Sequence, residues 1–178
     1  MSRTVSWLAF VPLFVLGVAA SGCGGAAGVH GTVGGKSFSA TSAISAIESQ
    51  LGVVVISSGS DDLCAQVRAD LPPLNTRILS IQLFDVDATG KSSTALEVGK
   101  YVFATDDNTS QAGQFAVVSF NEVGAQVSDQ TSVPCTGGSV TLDKSDSTSP
   151  YRGSLDLTFG SDHLQGSFEG IFCDALSL

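Results

Sequence analysis

Residues 152–169, RGSLDLTFGSDHLQGSFE, carry the clearest structural pattern in this chain. Apolar and polar side chains alternate on both sides of a turn at residues 160–163. The apolar positions are Leu155, Leu157, Phe159, Leu164 and Phe168, and the polar positions between them include Ser154, Asp156, Thr158, Gln165 and Ser167. Alternation with a period of two indicates strands that bury one face and expose the other. The stretch therefore predicts an antiparallel hairpin.

Short apolar runs of strand type recur on the N-terminal side of this hairpin. They lie at Leu51 to Ile56, Thr76 to Phe84, Tyr101 to Thr105, Gln114 to Phe120 and Val140 to Leu142. A further hairpin is predicted around Gly34 and Gly35, because two glycines can occupy the left-handed positions of a tight turn. About nine short strands predict a mainly β fold, either an antiparallel β-sandwich or a small open barrel.

One short helix is predicted at about residues 60–70. Ser60 can cap it, two aspartates lie in its positive first turn, and the Leu71-Pro72-Pro73 sequence ends it. Residues 41–50 are ambiguous, because their apolar side chains fit helical spacing in a short segment.

Composition bounds the class of protein. The chain has 178 residues, of which 43% are hydrophobic and 14% charged, so it is not a disordered chain. This length predicts a single domain. The formal net charge of −9 argues against a nucleic-acid partner, because phosphate contacts need clustered lysine and arginine.

The N-terminus predicts export from the cytoplasm. Arg3 precedes an apolar run from Trp7 to Ala20, WLAFVPLFVLGVAA. A helix over this run would be about 21 Å long, short of the roughly 30 Å of a bilayer core. A run of this length, with small residues after it, is typical of a secretory signal peptide rather than a membrane span.

The sequence Ala20-Ser21-Gly22-Cys23 resembles the lipobox of bacterial lipoprotein precursors, although the family prefers leucine where Ala20 stands. The resemblance covers the first two dozen residues and implies that Cys23 receives a diacylglycerol and becomes the first mature residue. Gly24 follows Cys23 in place of the aspartate that retains family members in an inner membrane, so an outer membrane is expected if the cell has two. The alternative is an ordinary signal peptide that is cut after Ala20, with Cys23 a plain thiol.

These signals divide the chain into three parts. Residues 1–22 are predicted to be the signal peptide, residues 23–28 the lipidated cysteine with a flexible tether, and residues 29–178 a single β-rich domain.

Three further cysteines, Cys64, Cys135 and Cys173, allow one disulfide. If the strands run up and down in chain order, Cys135 and Cys173 lie at opposite ends of the sheet. Cys173 meets Cys64 at one end if the loop at residues 121–137 simply turns round, whereas Cys135 meets Cys64 if that loop crosses over. We expect the Cys64–Cys173 pair; the alternative is that all three thiols are buried and free.

The candidate chemical motifs are sparse. Residues 85–91, DVDATGK, resemble the start of an EF-hand loop, but Leu96 stands where the loop needs glutamate, so a plain turn is expected and Asp85 and Asp87 are the candidates for a cation. Ser161, Asp162 and His163 are triad residue types, yet adjacency in sequence is not triad geometry. No CxxC, HExxH or GxSxG motif occurs, and no cofactor or catalytic residue is predicted.

The leading hypothesis is a lipid-anchored extracytoplasmic β-domain with a non-enzymatic binding or structural role. Its expected partners are the membrane, through the lipid, and an envelope protein. The alternatives are a calycin-like small-ligand carrier and, third, a hydrolase. The Leu- and Phe-rich apolar faces favour a filled core over a ligand cavity.

Overall fold

The computed structural model describes residues 25, 27–48, 51–59, 62–69, 73–91, 96–105, 109, 111–145 and 150–173. Their secondary structure is mainly β, with one short α-helix and one 3-10 turn at Val127–Asp129. The strands are β1 (His30–Val33), β2 (Lys36–Ser39), β3 (Ser42–Glu48), β4 (Leu51–Ser57), β5 (Thr76–Val86), β6 (Gly99–Phe103), β7 (Gly113–Val123), β8 (Gln130–Pro134), β9 (Gly137–Lys144), β10 (Arg152–Phe159), β11 (Asp162–Glu169) and β12 (Ile171–Phe172), and the helix is α1 (Leu63–Arg68).

All of these strands belong to one curled sheet. Its order is β12-β3-β4-β5-β7-β6-β9-β10-β11-β1-β2, and β8 pairs with β7 off this path. Strand β11 continues through Gly170 into β12, which pairs with β3, so the two sides of the sheet approach each other. The sheet is thus a curled, open half-barrel. This agrees with the predicted open barrel, and the alternative prediction of a β-sandwich is wrong.

The predicted hairpins are confirmed. Strands β10 and β11 pair antiparallel along their whole length. Strands β1 and β2 turn at Gly34 and Gly35, whose φ angles of +60° and +72° are the left-handed values that glycine tolerates. Both turns thus follow from local sequence.

The strand count is higher than predicted for three reasons. The ambiguous segment at residues 41–50 contains β3. Both faces of this strand are buried, so its sequence does not alternate between apolar and polar residues. The expected loop at residues 121–137 contains β8 and the end of β7. The third added strand, β12, is two residues long.

The expected up-and-down strand order is wrong. Strand β7, not β6, pairs with β5, and β6 lies between β7 and β9. Strand β6 runs parallel to β7, and β12 runs parallel to β3, so the sheet is mixed rather than antiparallel throughout. Pairing between β5 and β7 extends over eleven residues of each strand, and the chain between them supplies β6 to the other edge of β7.

The helix begins later than predicted. Asp62, not Ser60, is the N-cap, and its carboxylate accepts a hydrogen bond of 3.1 Å from the backbone N–H of Ala65. Helix α1 ends at Arg68, before the proline pair. Ser60, Asp61, Leu71 and Pro72 lie outside the described residues.

The main core fills the concave side of the curled sheet. It contains Val54, Ile56, Leu79, Ile81, Leu83, Tyr101, Phe120, Val140, Leu157, Phe159 and Leu164. The ring of Phe120 lies 5.3 Å from that of Phe38 and 5.7 Å from that of Phe159. The β1–β2 hairpin therefore packs its Phe38 onto β7 across the core.

A second, small cluster lies on the opposite face of β3 and β4. There Leu63 and Val67 of α1 pack with Ile44 and Val55, whose strand neighbours belong to the main core. Helix α1 thus covers the outer face of the sheet instead of marking one end of it.

Candidate functional site

An acidic cleft of about 350 Å³ opens where β5 ends and β6 begins. Its acidic lining residues are Asp85, Asp87 and Glu97, and Gln114 of β7 completes the polar rim. The sequence carries Asp85 into this position because Leu79, Ile81 and Leu83 alternate on the core side of β5 and Asp85 is next on that side. A carboxyl group thus occupies the last inward position of a strand.

The carboxyl group of Asp85 is buried and only partly hydrogen-bonded. The residue is 9% exposed, and its Oδ2 accepts a hydrogen bond of 3.1 Å from the backbone N–H of Glu97. Its Oδ1 is buried and has no hydrogen-bond partner. Buried acceptors are nearly always satisfied in folded proteins, so the free Oδ1 is an exception that sets this carboxyl group apart.

Tyr101 lies beside this carboxyl group. Its hydroxyl donates a hydrogen bond of 2.7 Å to the backbone carbonyl of Glu97. Burial raises the pKa of the phenol, and the negative charge of Asp85 raises it further. The phenol therefore stays protonated and acts as a hydrogen-bond donor rather than as an ionised group.

The EF-hand-like segment forms a turn, as the sequence predicts. Asp87 Oδ1 accepts hydrogen bonds from the Thr89 backbone (2.8 Å), the Thr89 hydroxyl (2.7 Å) and the Lys91 backbone (3.0 Å). The Thr89 hydroxyl is the main cause that lowers the pKa of the Asp87 carboxyl group. Leu96, at the position where an EF-hand needs glutamate, packs against the core and covers Gly52. Among the described residues, no three His, Cys, Asp or Glu side chains are placed to hold a metal ion.

The triad residue types do not converge. His163 Nε2 lies 2.7 Å from Asp156 Oδ1 of the neighbouring strand. Asp162 instead accepts hydrogen bonds from the Thr32 hydroxyl (3.0 Å) and the Gly35 backbone (2.8 Å), which hold the β1–β2 turn against β11. Asp162 is therefore a structural residue of the hairpin.

The predicted disulfide is confirmed. Cys64 and Cys173 are bonded, with their Cα atoms 5.9 Å apart. The two cysteines do not meet at one end of an up-and-down sheet, as expected, but beside β3. Helix α1, which carries Cys64, packs on the outer face of β3, and β12, which precedes Cys173, pairs with β3.

The third cysteine is free and buried. The Cys135 thiol lies within hydrogen-bonding distance of the Gly137 carbonyl (3.3 Å) and the Thr158 carbonyl (3.4 Å). Burial raises the pKa of this thiol, so it stays in the neutral form that is a poor nucleophile.

The predicted lipidation site, Cys23, and residues 1–22 lie outside the described residues. Where the chain enters the described structure, Gly25 and Gly28 of the expected tether are hydrogen-bonded to the sheet. Across the ranges that the structure describes, no helix has the length and apolar character of a membrane span.

Comparisons of this chain with protein-family models, with curated proteins and with solved structures found no match.

Sequence reasoning located some residues of the cleft and missed others. The alternation along β5 already places Asp85 on the side of Leu83, which was the available signal for its burial. Glu97 and Tyr101 gave no such signal, because their contact with Asp85 depends on the course of the chain between β5 and β6.

Proposed function

We propose that this chain is a lipid-anchored extracytoplasmic β-domain with a non-enzymatic binding or structural role at the cell envelope. The observation that carries this proposal is the Cys64–Cys173 disulfide, since such bonds persist in oxidising compartments and are rare in the cytoplasm. The apolar N-terminal run and the lipobox-like sequence before Cys23 support the same compartment and supply the anchor. The outer membrane is the proposed address if the cell has two membranes.

A half-paired strand supports the binding part of the proposal. Within the described chain, β8 hydrogen-bonds to β7 and to no second strand. Its residues Gln130, Thr131 and Ser132 are exposed. Backbone groups along such an edge can pair with an extended segment of another protein. An envelope protein that presents an extended strand is therefore the proposed class of partner.

A calycin-like small-ligand carrier is the second candidate, and the curl of the sheet favours it. A carrier needs an interior cavity of roughly 300 Å³ or more. The contacts of Phe120 with Phe38 and Phe159 fill the middle of the concave side instead. This packing favours recognition at loops or at a strand edge over enclosure of a ligand.

A hydrolase is the third candidate, and two contacts weigh against it. His163 is paired with Asp156 on the exposed face, and Asp162 is held by the β1–β2 turn. This arrangement orients no serine hydroxyl for nucleophilic attack.

Metabolic labelling with a fatty-acid analogue tests the anchor. The wild type should be labelled at Cys23. Cys135→Ser should be labelled equally, because Cys135 is buried in the fold and is not the proposed acylation site. Cys23→Ala should carry no label. Equal labelling of Cys23→Ala and the wild type would contradict lipidation at this position.

Processing gives an independent test. Trp7 is the only tryptophan of the sequence, so a chain that begins at Cys23 has no tryptophan emission. Its intact mass should correspond to residues 23–178 plus the acyl groups. Tryptophan emission from purified membrane-extracted protein would show that the N-terminal segment is retained.

A further inference from the structure

The chain enters the sheet almost directly after the proposed lipidation site. The backbone N–H of Gly25 donates to the Ala43 carbonyl at 3.0 Å, and the Ala43 N–H donates back to Gly25 at 3.2 Å. The N–H of Gly28 donates to the Ser167 carbonyl at 2.8 Å, and Ala27 bridges to β11 as well. This N-terminal clamp, formed by Gly25, Ala27 and Gly28, thus joins β3 on one side and β11 on the other.

Gly25 is held in a place where only glycine fits. A Cβ atom there would overlap the Glu169 carbonyl oxygen and would lie 2.6 Å from the Ala43 oxygen and 2.7 Å from the Ile171 nitrogen. All three obstacles are backbone atoms of the sheet, which cannot rotate away. The chain at Gly25 is therefore in tight contact with the β11–β12 junction.

From these contacts we infer that the domain lies directly against the phospholipid surface, with the face around Gly25 and Ile171 turned towards the lipid headgroups. This inference rests on the proposed lipidation of Cys23. Two peptide steps separate Cys23 from Gly25, so their Cα atoms are at most about 7 Å apart. Because inserted acyl chains hold Cys23 at the membrane interface, Gly25 and its neighbours must lie at the headgroups too.

The side chains at this face suit such a surface. Ile171 is 38% exposed, although it is a large apolar residue. Glu169, whose carbonyl touches Gly25, is paired with Arg152 through a contact of 3.1 Å between Nη2 and Oε1. The face thus offers an apolar side chain beside an ion pair.

Tryptophan quenching tests this orientation. A chain that begins at Cys23 has no tryptophan, so Ile171→Trp and Val117→Trp each contain a single emitter. Val117 is a matched control, because it is an apolar strand residue that is 45% exposed. It lies four strand positions from β12, which is about 19 Å along the sheet. Each lipidated protein is reconstituted in phosphatidylcholine vesicles with and without lipid that carries a nitroxide on its headgroup.

We expect the nitroxide lipid to remove more than half of the emission of Ile171→Trp and little of the emission of Val117→Trp. Insertion of a flexible glycine-serine linker between Gly24 and Gly25 should reduce quenching of Ile171→Trp to the level of the control. Equal quenching of the two proteins, when both are lipidated and float with the vesicles, would overturn the orientation and leave the proposed function intact. Absence of lipidation would instead refute the proposed function.

Hydrogen exchange of the wild type tests the same face without a substitution. Vesicles should slow exchange at residues 169–173 and leave residues 113–123 unchanged. Equal exchange at residues 169–173 with and without vesicles would contradict the inference.

Discussion

At the scale of single residues, the neighbourhood of Tyr101 couples burial to protonation. The phenol is buried, donates to the Glu97 carbonyl and lies beside the charge of Asp85. Its pKa in the folded chain is therefore raised, whereas an unfolded chain ionises its tyrosines near pH 10. Because the pKa is raised, the contribution of the protonated Tyr101 phenol to the stability of the fold is fully present below pH 10 and is lost as the pH rises above it.

Tyr101→Phe should change how stability depends on pH. Near neutral pH the substitution should cost about 1 kcal/mol, because the Glu97 carbonyl loses its donor. Above pH 10 the difference in unfolding free energy between wild type and variant should narrow. At such pH the folded wild type holds one proton more than its unfolded chain, so its stability falls by about 1.4 kcal/mol per pH unit. Urea unfolding at pH 8, 10 and 11 measures this gap. Val118→Ala, a core truncation that keeps the phenol, should follow the wild-type slope, and parallel curves for Tyr101→Phe would contradict the coupling.

At the scale of elements, the β1–β2 hairpin packs across the core onto strands that lie far from it in the sheet order. Phe38 reaches Phe120, and Lys36 Nζ lies 2.8 Å from Glu122 Oε1 of β7. Arg77 of β5 also donates to the Ser37 carbonyl. An aromatic contact and a set of charged contacts thus hold the same hairpin.

The aromatic contact should carry most of the stability of this hairpin. Phe38→Ala should cost about 3–5 kcal/mol, the range for a buried phenylalanine. Glu122→Gln should cost about 1 kcal/mol or less, because this side chain is 33% exposed and solvent screens the pair. Urea unfolding of both variants at pH 7 compares the two contributions.

The two effects should also differ in acid. The hydrogen bond from Lys36 lowers the pKa of Glu122, so its contribution is present at neutral pH and is lost as the pH falls through that lowered value. The cost of Glu122→Gln should therefore shrink steadily as the pH falls below the usual glutamate pKa, while the cost of Phe38→Ala remains. A cost of Glu122→Gln that is unchanged at low pH would show that the charge is not its cause.

At the scale of the whole molecule, local patterns predicted the strands better than their order. Period-two alternation located β10 and β11, and the glycine pair located the β1–β2 turn, because both depend on neighbours in sequence. The position of β6 between β7 and β9 could not be read from the chain, since nothing local distinguishes it from a strand beside β5. Strand β3 was missed for a related reason. Helix α1 covers its outer face, where Ile44 is apolar, so β3 lacks the alternation of apolar and polar residues that marks a half-exposed strand.

The contacts within the acidic cleft were also beyond what local sequence patterns predict. Asp85 could be placed on the core side of β5 from alternation alone, but its contact with Glu97 and Tyr101 depends on the path between β5 and β6. The disulfide was predicted correctly from a strand order that is wrong. Its two cysteines meet at β3 because α1 packs on the outer face of that strand and β12 pairs with it.

The disulfide should therefore stabilise the whole curled sheet. It joins α1 to the end of β12 across 109 residues of sequence, and β12 is the strand through which β11 reaches β3. Chain entropy gives about 4.7 kcal/mol for a loop near this length, a large part of the roughly 5–15 kcal/mol of a typical domain.

Removal of the bond, by reduction or by Cys64→Ser with Cys173→Ser, should lower Tm by about 10–20 °C. Cys135→Ser is the matched control, because it removes a buried sulfur and keeps the bond, and its Tm should fall much less. Calorimetry of the three proteins measures these shifts, and peptide mapping without reduction checks the pairing. A peptide that links Cys135 to either partner, or a Tm loss no larger than that of Cys135→Ser, would show that this bond does not hold the sheet together.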